Sequence, residues 1–355
     1  MVRKACERLG MAVVTCSLFT SLCCAQNPTQ QSQPRVVVVA PNETKPASKA
    51  VVVPQTGARI TLDVVAFDSH DQIVGDLTSQ DFQISDEGKA QRIVSFHNNV
   101  PNAAEVAPPV VLLFDLLHDG LGSRGYGAEE IIRALEPLGS SDSLYLYLLG
   151  SQGELKAVRG LPSPQEHNPP EKTPWTEHIK PLLEAAIDNA YGVRPTTLRV
   201  GDGVGTVPAI EKLNASLRPF PGRKNLIWIT SGANLNLSYT RSTYGNNNRL
   251  GGRPELVNRI ATVLDHDGIT LSSVHQGHDV ESGDLAPLEQ FAELTGGKVY
   301  DNDIEKAVKE VMAASRSGYV IEYDGPPPDG KYHKIRVTCS RKGVHLQVKQ
   351  GYYAN

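Results

Sequence analysis

The stretch VVLLFDLLHD, residues 110–119, constrains the fold more than any other part of the sequence. Five consecutive apolar residues lead directly into the carboxylate of Asp115, and a second carboxylate, Asp119, follows closely. A short apolar run of this kind is typical of a strand buried on both faces, as in parallel sheets covered by helices. The stretch therefore predicts a buried strand that brings acidic groups to one edge of a sheet. A core strand followed by a solvated loop remains the alternative.

Strand-like apolar runs alternate with helical periodicity through the middle of the chain, which predicts a mostly parallel α/β sheet covered on both faces. The pattern predicts strands at 110–114, 144–149, 154–158, 225–230, 269–274 and 298–300, the third of them antiparallel, and helices at 128–138, 176–190, 206–217, 256–264, 285–294 and 304–314. Ligands of such open sheets bind beyond the carboxyl ends of the strands, near the point where the strand order reverses.

The two flanks of this region have a different pattern, that of antiparallel strands. Residues 58–100 alternate apolar and polar positions and contain a hairpin turn at 86–89, and residues 317–355 read as three strands at 319–323, 333–339 and 344–352. A β unit as small as the first one is marginal alone. We therefore expect the two flanks to meet in one β-sandwich, with an α/β domain at 107–316 inserted between them.

The first 57 residues have the composition of an export signal followed by a tether. Basic residues, an apolar stretch and a small-residue site predict a signal peptide over 1–25, cleaved after Ala25, and a flexible linker over 26–57. A secreted or periplasmic location follows, and acylation of Cys23 or Cys24 would make the protein lipid-anchored instead. Cys339 would then be the one cysteine of the mature chain, which excludes an internal disulfide, and its strand context predicts a buried thiol.

Composition argues against two classes of partner. A net charge of -4, with 21% charged residues, provides no basic face for nucleic acid. No stretch after the signal has the length and apolarity of a transmembrane segment, so we expect none in the mature chain.

Several motifs together carry a resemblance to a known family. A strand ending in Asp115, a later helix led by Thr206 and a strand ending in Thr-x-Gly resemble the von Willebrand factor A (VWFA) domain, with its metal-ion-dependent adhesion site. The flanks add GDL at 75–77, DF at 81–82, DEGK at 86–89, FPGRK at 220–224, TGG at 295–297, HKI at 333–335 and GY at 351–352. As a set these resemble the VWFA-related domain family of many acidobacterial exported proteins, over most of residues 58–355.

The resemblance implies a divalent-cation site that this sequence retains only in part. Where the family has Asp-x-Ser-x-Ser, this chain has Asp115 and then Asp119 in place of the second serine. Thr206 fits the family's threonine, and Ser231 stands where the family has an aspartate. Mg²⁺ demands near-octahedral oxygen ligation, so these four residues predict a degenerate site for Mg²⁺ or another divalent cation, with a vestigial site as the alternative.

Other chemistry-bearing patterns are weaker. The glycines at 120, 122 and 125 match a dinucleotide motif, but carboxylates stand where pyrophosphate would bind, which favours a flexible loop. His275 and His278 have metal-like spacing, as has the run 265–267, yet a solvated surface is the simpler interpretation. A hydrolase built on Ser123 or Ser231 has no identified base. The loop 238–253, with Tyr239 and Tyr244, follows a predicted strand end and is a candidate recognition surface together with His118.

These observations predict an exported, non-enzymatic binding module. Its strand-end face would recognise a protein or a glycan, with the degenerate cation site at its centre. The alternatives are an inert structural component of the cell envelope and, less favoured, a hydrolase.

Overall fold

The structure is a computed structural model that describes residues 57–99, 107–118, 121–138, 140–141, 143–150, 153–163, 173–174, 177, 179–191, 205–232, 254–276 and 285–354. The signal peptide, nearly all of the linker, Asp119, Tyr239, Tyr244 and His278 lie outside these residues and stay predictions. Residues 54–355 form one compact unit.

The described strands are β1 (Arg59–Phe67), β2 (Phe82–Asp86), β3 (Lys89–Gln91), β4 (Ile93–Asn98), β5 (Val110–Asp115), β6 (Ser140–Ser141), β7 (Leu144–Leu149), β8 (Leu155–Arg159), β9 (Thr173–Pro174), β10 (Lys224–Thr230), β11 (Ile269–His275), β12 (Val299–Asp301), β13 (Tyr319–Asp324), β14 (Tyr332–Cys339), β15 (His345–Gln347) and β16 (Gly351–Tyr353). The described helices are α1 (Leu121–Leu135), α2 (Lys180–Tyr191), α3 (Thr206–Leu217), α4 (Pro254–His266), α5 (Ala286–Thr295) and α6 (Ile304–Ser315). Among these residues, none of the helices has the length and apolarity needed to cross a membrane.

The α/β part is a doubly wound sheet. Its six strands run in the order β12-β11-β10-β5-β7-β8, and all neighbours are parallel except the edge pair β7 and β8, which is antiparallel as expected. The chain order along the sheet reverses between β5 and β10. This reversal is the switch point at which open α/β sheets bind their ligands.

Helices cover both faces of this sheet. Residues of α1, α2 and α6 pack with alternate β5 side chains, Val110, Leu112 and Phe114. Residues of α3, α4 and α5 pack on the other face with Val111 and Leu113. All six β5 residues are buried, and burying each large apolar side chain contributes about 1.5–3 kcal/mol. The apolar run at 110–114 therefore lies at the centre of the α/β part, as its sequence predicts.

The two flanks form the expected β-sandwich from two four-stranded sheets. One has the order β15-β1-β13-β4 and the other β16-β14-β2-β3, so each sheet combines strands from both flanks. The apolar side chains between the sheets include Leu62, Phe82, Ile321, Tyr323 and Ile335. Each sheet therefore completes the core that the other lacks, as expected for packed antiparallel layers.

A charged network lies inside the sandwich. The buried Asp86 carboxylate accepts hydrogen bonds from the hydroxyls of Tyr323 (2.9 Å) and Tyr352 (2.8 Å) and contacts His333 Nδ1 at 3.2 Å. The other ring nitrogen of His333 lies 3.2 Å from Asp329. Burial acts to lower the pKa of His333, but the two carboxylates outweigh it and hold that pKa above its ordinary value.

A second set of polar contacts joins the sandwich to the α/β part. The Lys349 ammonium, between β15 and β16, donates to both oxygens of Asp265 on α4, at 3.0 and 2.8 Å. Burial raises the pKa of Asp265 above its ordinary value, although the Lys349 charge acts in the opposite direction. The backbone N–H of Gln350 donates to the carbonyl of Glu293 on α5 at 2.8 Å.

The sequence predicts a single strand at 344–352, but the structure has two shorter strands there, β15 and β16. The chain leaves the ladder between β15 and β16 because Lys349 and Gln350 turn toward the α/β part.

Two further predicted elements differ from the structure. The hairpin at 86–89 extends only through β3, because β3 stays paired with β2 while the chain crosses to the other sheet at Arg92, where β4 pairs with β13. Helix α1 begins at Leu121 rather than residue 128, so the stretch read as a flexible glycine loop is helical from there. Glycine costs only about 1 kcal/mol per helical position, which tertiary context can override.

Candidate functional site

The carboxyl ends of four strands lie side by side at the switch point. Asp115 is in register with Leu149 of β7, and Thr230 of β10 with His275 of β11. The β5 and β10 strands are joined by the pair of Phe114 and Ile229, one residue earlier. We call the surface formed by these four strand ends, Asp115, Leu149, Thr230 and His275, the strand-end face. The face thus lies where the sequence predicts a ligand site.

Asp115 is the most fully hydrogen-bonded residue of this face. Its side chain is buried, and its Oδ1 accepts the backbone N–H groups of Leu117 (2.9 Å) and His118 (3.1 Å). These bonds form a local turn in which the aspartate side chain caps the backbone that follows it. The chain directly after β5 is therefore fixed relative to the carboxylate.

The other oxygen of Asp115 has three side-chain contacts. Its Oδ2 lies 2.8 Å from His118 Nδ1, 3.0 Å from Trp228 Nε1 and 3.1 Å from Thr230 Oγ1. The indole N–H can only donate, so Trp228 identifies Oδ2 as an acceptor. The Thr230 hydroxyl also lies 3.1 Å from the carbonyl of Gly232, and its single proton serves one of the two oxygens. The Asp115 carboxylate thus meets donors on all sides.

Thr206 lies at the same edge of the sheet, but its side chain, unlike that of Asp115, is not hydrogen-bonded within the described part of the chain. It opens α3, and the preceding Gly205 N–H donates to the carbonyl of Gly153 at 2.9 Å, just beyond the end of β7. Helix α3 covers the sheet face to which the odd-numbered β5 residues, including Asp115, point. Thr206 Oγ1 is buried and has no hydrogen-bond partner among the described residues. The threonine of the resemblance is therefore at the expected edge with its hydroxyl unsatisfied.

Some of the polar groups next to the strand-end face are paired, whereas Gln276 Oε1 has no hydrogen-bond partner among the described residues. The backbone carbonyl of Ser231 lies 3.2 Å from His275 Nε2, and Gln276 Nε2 donates to Glu130 of α1 at 3.3 Å. His275 is buried, so the expectation that it is solvated is wrong. It ends β11, and its ring is enclosed beside β10.

The described residues do not fit a divalent cation. A carboxylate offers about four lone-pair sites, and four N–H groups already contact Asp115, besides the Thr230 hydroxyl, whose proton Asp115 shares with the Gly232 carbonyl. Nowhere in the described ranges do three or more His, Cys, Asp or Glu side chains gather as a metal site would need. Beside Asp115, the unpartnered buried oxygens that the described residues offer at this edge belong to the neutral side chains of Thr206 and Gln276, and Mg²⁺ requires several oxygen ligands in octahedral geometry. The predicted Asp115, Thr206 and Ser231 share one edge without offering a coordination shell.

Other sequence candidates have structural roles. In the run 265–267, Asp265 binds Lys349, and Asp267 accepts from Asn214 at 2.8 Å. Gly122 and Gly125 lie within α1, so they form no loop around a phosphate. Cys339 is free and partly exposed rather than buried, at the end of the sandwich strand β14.

The sequence does not predict that Trp228 and Thr230 contact the Asp115 carboxylate. We call Asp115 and these two residues, together with His118, the Asp115 cluster. Trp228 and Thr230 both lie in the run NLIWIT, which reads as an apolar strand. A signal was present, because a buried tryptophan needs an acceptor for its indole N–H. Asp115, at the end of a neighbouring strand, is the acid that meets this need.

The arrangement as a whole agrees with the architecture implied by the resemblance. A doubly wound sheet carries helices on both faces, and an aspartate ends the strand at its switch point. The α/β part has a von Willebrand A-like fold. The acidobacterial type within that class stays a prediction.

Comparison with known proteins yields similar structures and no sequence relatives. No family model and no curated protein matches the sequence. The human COPII-coat protein Sec24c is 11% identical over 70% of this chain and 44% of its own, with a TM-score of 0.39. Proximal thread matrix protein 1 from the mussel byssus, with a zinc-occupied MIDAS motif, is 14% identical over 60% of this chain and 47% of its own, at 0.33.

The VWA domain of SpRpn10 is 11% identical, with 58% of this chain and 94% of that domain covered and a TM-score of 0.30. The chain spans less than half the length of the first two structures. At these TM-scores the similarity decides nothing on its own, and the functional argument rests on this chain's residues.

Proposed function

We propose that the protein is an exported, non-enzymatic binding module whose strand-end face recognises a protein partner, with a glycan as the alternative. The observation that carries the proposal is the convergence of four strand ends at the switch point. The segments 119–120, 151–152, 233–253 and 277–284 follow these strands closely in the sequence. Binding residues of proteins often lie on loops that a rigid scaffold positions. Export rests on the sequence of residues 1–25 alone.

The hydrogen bonding at this face supports binding without chemistry. Asp115 is enclosed by donors, and His275 is buried against a backbone carbonyl. A side chain that takes part in catalysis must reach the reacting group, whereas these groups hold strand ends and the following turn together. Since Asp115 has no unused acceptor site, we propose that recognition here needs no resident divalent cation.

Site-specific photo-crosslinking tests the proposal. A photoreactive amino acid replaces Ser231, which is partly exposed at the strand-end face, or Lys342, which is exposed in a turn of the sandwich. We expect crosslinks to a discrete envelope or extracellular component from position 231 and none from position 342. The opposite pattern would favour the structural alternative, in which the sandwich packs against neighbours and the α/β part is inert.

One observation favours a second candidate function, a hydrolase. His118 Nδ1 lies 2.8 Å from the buried Asp115 carboxylate, the relation of a general base to the residue that orients it. Hydrolysis of activated esters by the full chain would be measured beside His118→Ala and Asp115→Asn. Turnover that both substitutions leave intact would reject this candidate, and turnover lost in both would displace the binding proposal.

A further inference from the structure

The side chain of His118 stands where a cation bound to Asp115 would have to approach. Asp115 is the only residue of the predicted metal set that supplies a carboxylate within the described residues, and its Oδ2 faces the imidazole at 2.8 Å. The same Oδ2 accepts from the Trp228 indole N–H, so we assign the proton of the His118 contact to Nδ1. The partial positive charge of the imidazole N–H thus faces the carboxylate oxygen at the position that a bound cation would take.

Local backbone geometry holds the imidazole in this place. The turn after β5 is closed by two bonds from the backbone N–H groups of Leu117 and His118 to Oδ1 of the same carboxylate. His118 therefore binds Asp115 through both its backbone and its ring, and its side chain is only 18% exposed. A cation would have to displace a ring that its own main chain fixes.

Trp228 and Thr230 close the carboxylate from the side of β10. Both contact the same oxygen that His118 does, and Trp228 is fully buried between the sheet and helices α3, α4 and α5. A cation at Oδ2 would have to break the indole bond or share the oxygen with a donor. Thr206 Oγ1 and Gln276 Oε1 are buried oxygens near this edge that have no hydrogen-bond partner among the described residues.

We propose that His118 is an internal substitute for the divalent cation, so that the strand-end face holds one fixed, cation-independent arrangement. Removal of the imidazole takes away one of the three side-chain contacts of Asp115 Oδ2 and leaves those of Trp228 and Thr230. The imidazole is thus one of the groups that keep a cation from Asp115 Oδ2, beside Trp228 and Thr230, and its deletion should raise the affinity of that oxygen for a divalent cation.

The test measures Mn²⁺ binding by electron paramagnetic resonance and the thermal midpoint with MgCl₂, MnCl₂ or EDTA. The proteins are the wild type, His118→Ala, Asp115→Asn and the double variant. His266→Ala is the matched control, because His266 also contacts a carboxylate, that of Asp267, but on the surface with its side chain 87% exposed.

We expect the wild type and His266→Ala to bind Mn²⁺ no more tightly than Asp115→Asn does and to keep their midpoints in EDTA. His118→Ala should gain affinity of more than about tenfold over the wild type, equivalent to about 1.4 kcal/mol. The double variant should lose this gain. Mn²⁺ binding by the wild type that Asp115→Asn abolishes would overturn the proposal, as would a folded His118→Ala with no gain. If His118→Ala is unfolded without metal, rescue by Mn²⁺ supports the proposal, and a wild-type midpoint that falls in EDTA refutes it.

Discussion

Replacement of Trp228 by phenylalanine tests how strongly the Asp115 cluster holds the sheet at its switch point. The substitution removes the donor that lies 3.0 Å from Asp115 Oδ2 in a fully buried position. A hydrogen bond to a charged group contributes about 1.5–3 kcal/mol. The smaller ring leaves a cavity of about 40 Å³, which at about 24 cal/mol per Å³ adds about 1 kcal/mol. We therefore expect the free energy of unfolding to fall by roughly 2.5–4 kcal/mol.

Urea unfolding monitored by circular dichroism measures this loss, and a double-mutant cycle with Asp115→Asn isolates the hydrogen bond. We expect a coupling energy above about 1 kcal/mol for this pair. The control is Phe291→Leu, because Phe291 is buried and packs edge-on against Trp228 but has no polar atom. Its effect should add to that of Asp115→Asn without coupling. A Trp228→Phe loss of about 1 kcal/mol or less, with no coupling, would refute the reasoning because a cavity alone explains it.

Three further predictions concern the sandwich and its junction. The two carboxylates raise the pKa of His333 in the folded protein, so the protonated imidazole stabilises the fold below about pH 6.5, and this stabilisation is lost as pH rises through the folded pKa. His333→Asn should therefore make the free energy of unfolding less dependent on pH, as measured by urea midpoints across that range. Lys349→Met should destabilise by up to about 3 kcal/mol in chemical unfolding, since it leaves Asp265 unpaired, and adding Asp265→Leu should restore most of the loss. Gly297→Ala should prevent stable folding, judged by thermal midpoint and soluble yield, because its Cβ would overlap the Leu271 carbonyl; Gly330→Ala, at φ 70° with open space, should cost only about 1 kcal/mol.

The order of strands and helices could be predicted from the sequence because the apolar residues of most elements follow a clear pattern. The run at 110–114 has the length and apolarity of a buried strand, and the alternation around Leu62 is that of a half-buried one. Asp115 follows from the same logic, since the first acid after a buried strand must lie at the sheet edge. Those inferences need only local pattern and the general rule for strand ends.

The parts that failed depend on contacts between distant residues. Nothing near Arg92 signals that β4 crosses to the other sheet, because the partner that attracts it, β13, lies far away in the sequence. The closure of Asp115 by Trp228 joins residues 113 positions apart. The sequence predicts that His118 binds a partner, whereas its ring contacts the carboxylate of Asp115. Spacing places such residues on an edge, but only packing decides whether they face solvent or each other.

The shared β-sandwich has a consequence for how the chain reaches its native state. Asp86 and His333, which meet inside the sandwich, are 247 positions apart in the sequence, and β1 pairs along most of its length with β13. Pairings at such separation have a high loop-closure cost and form slowly. During synthesis, strands β1 to β4 therefore lack their partners until β13 to β16 have been synthesised. Unpaired strand edges aggregate readily in such an interval. The α/β part contains its own parallel sheet and can close first, bringing the two waiting ends together.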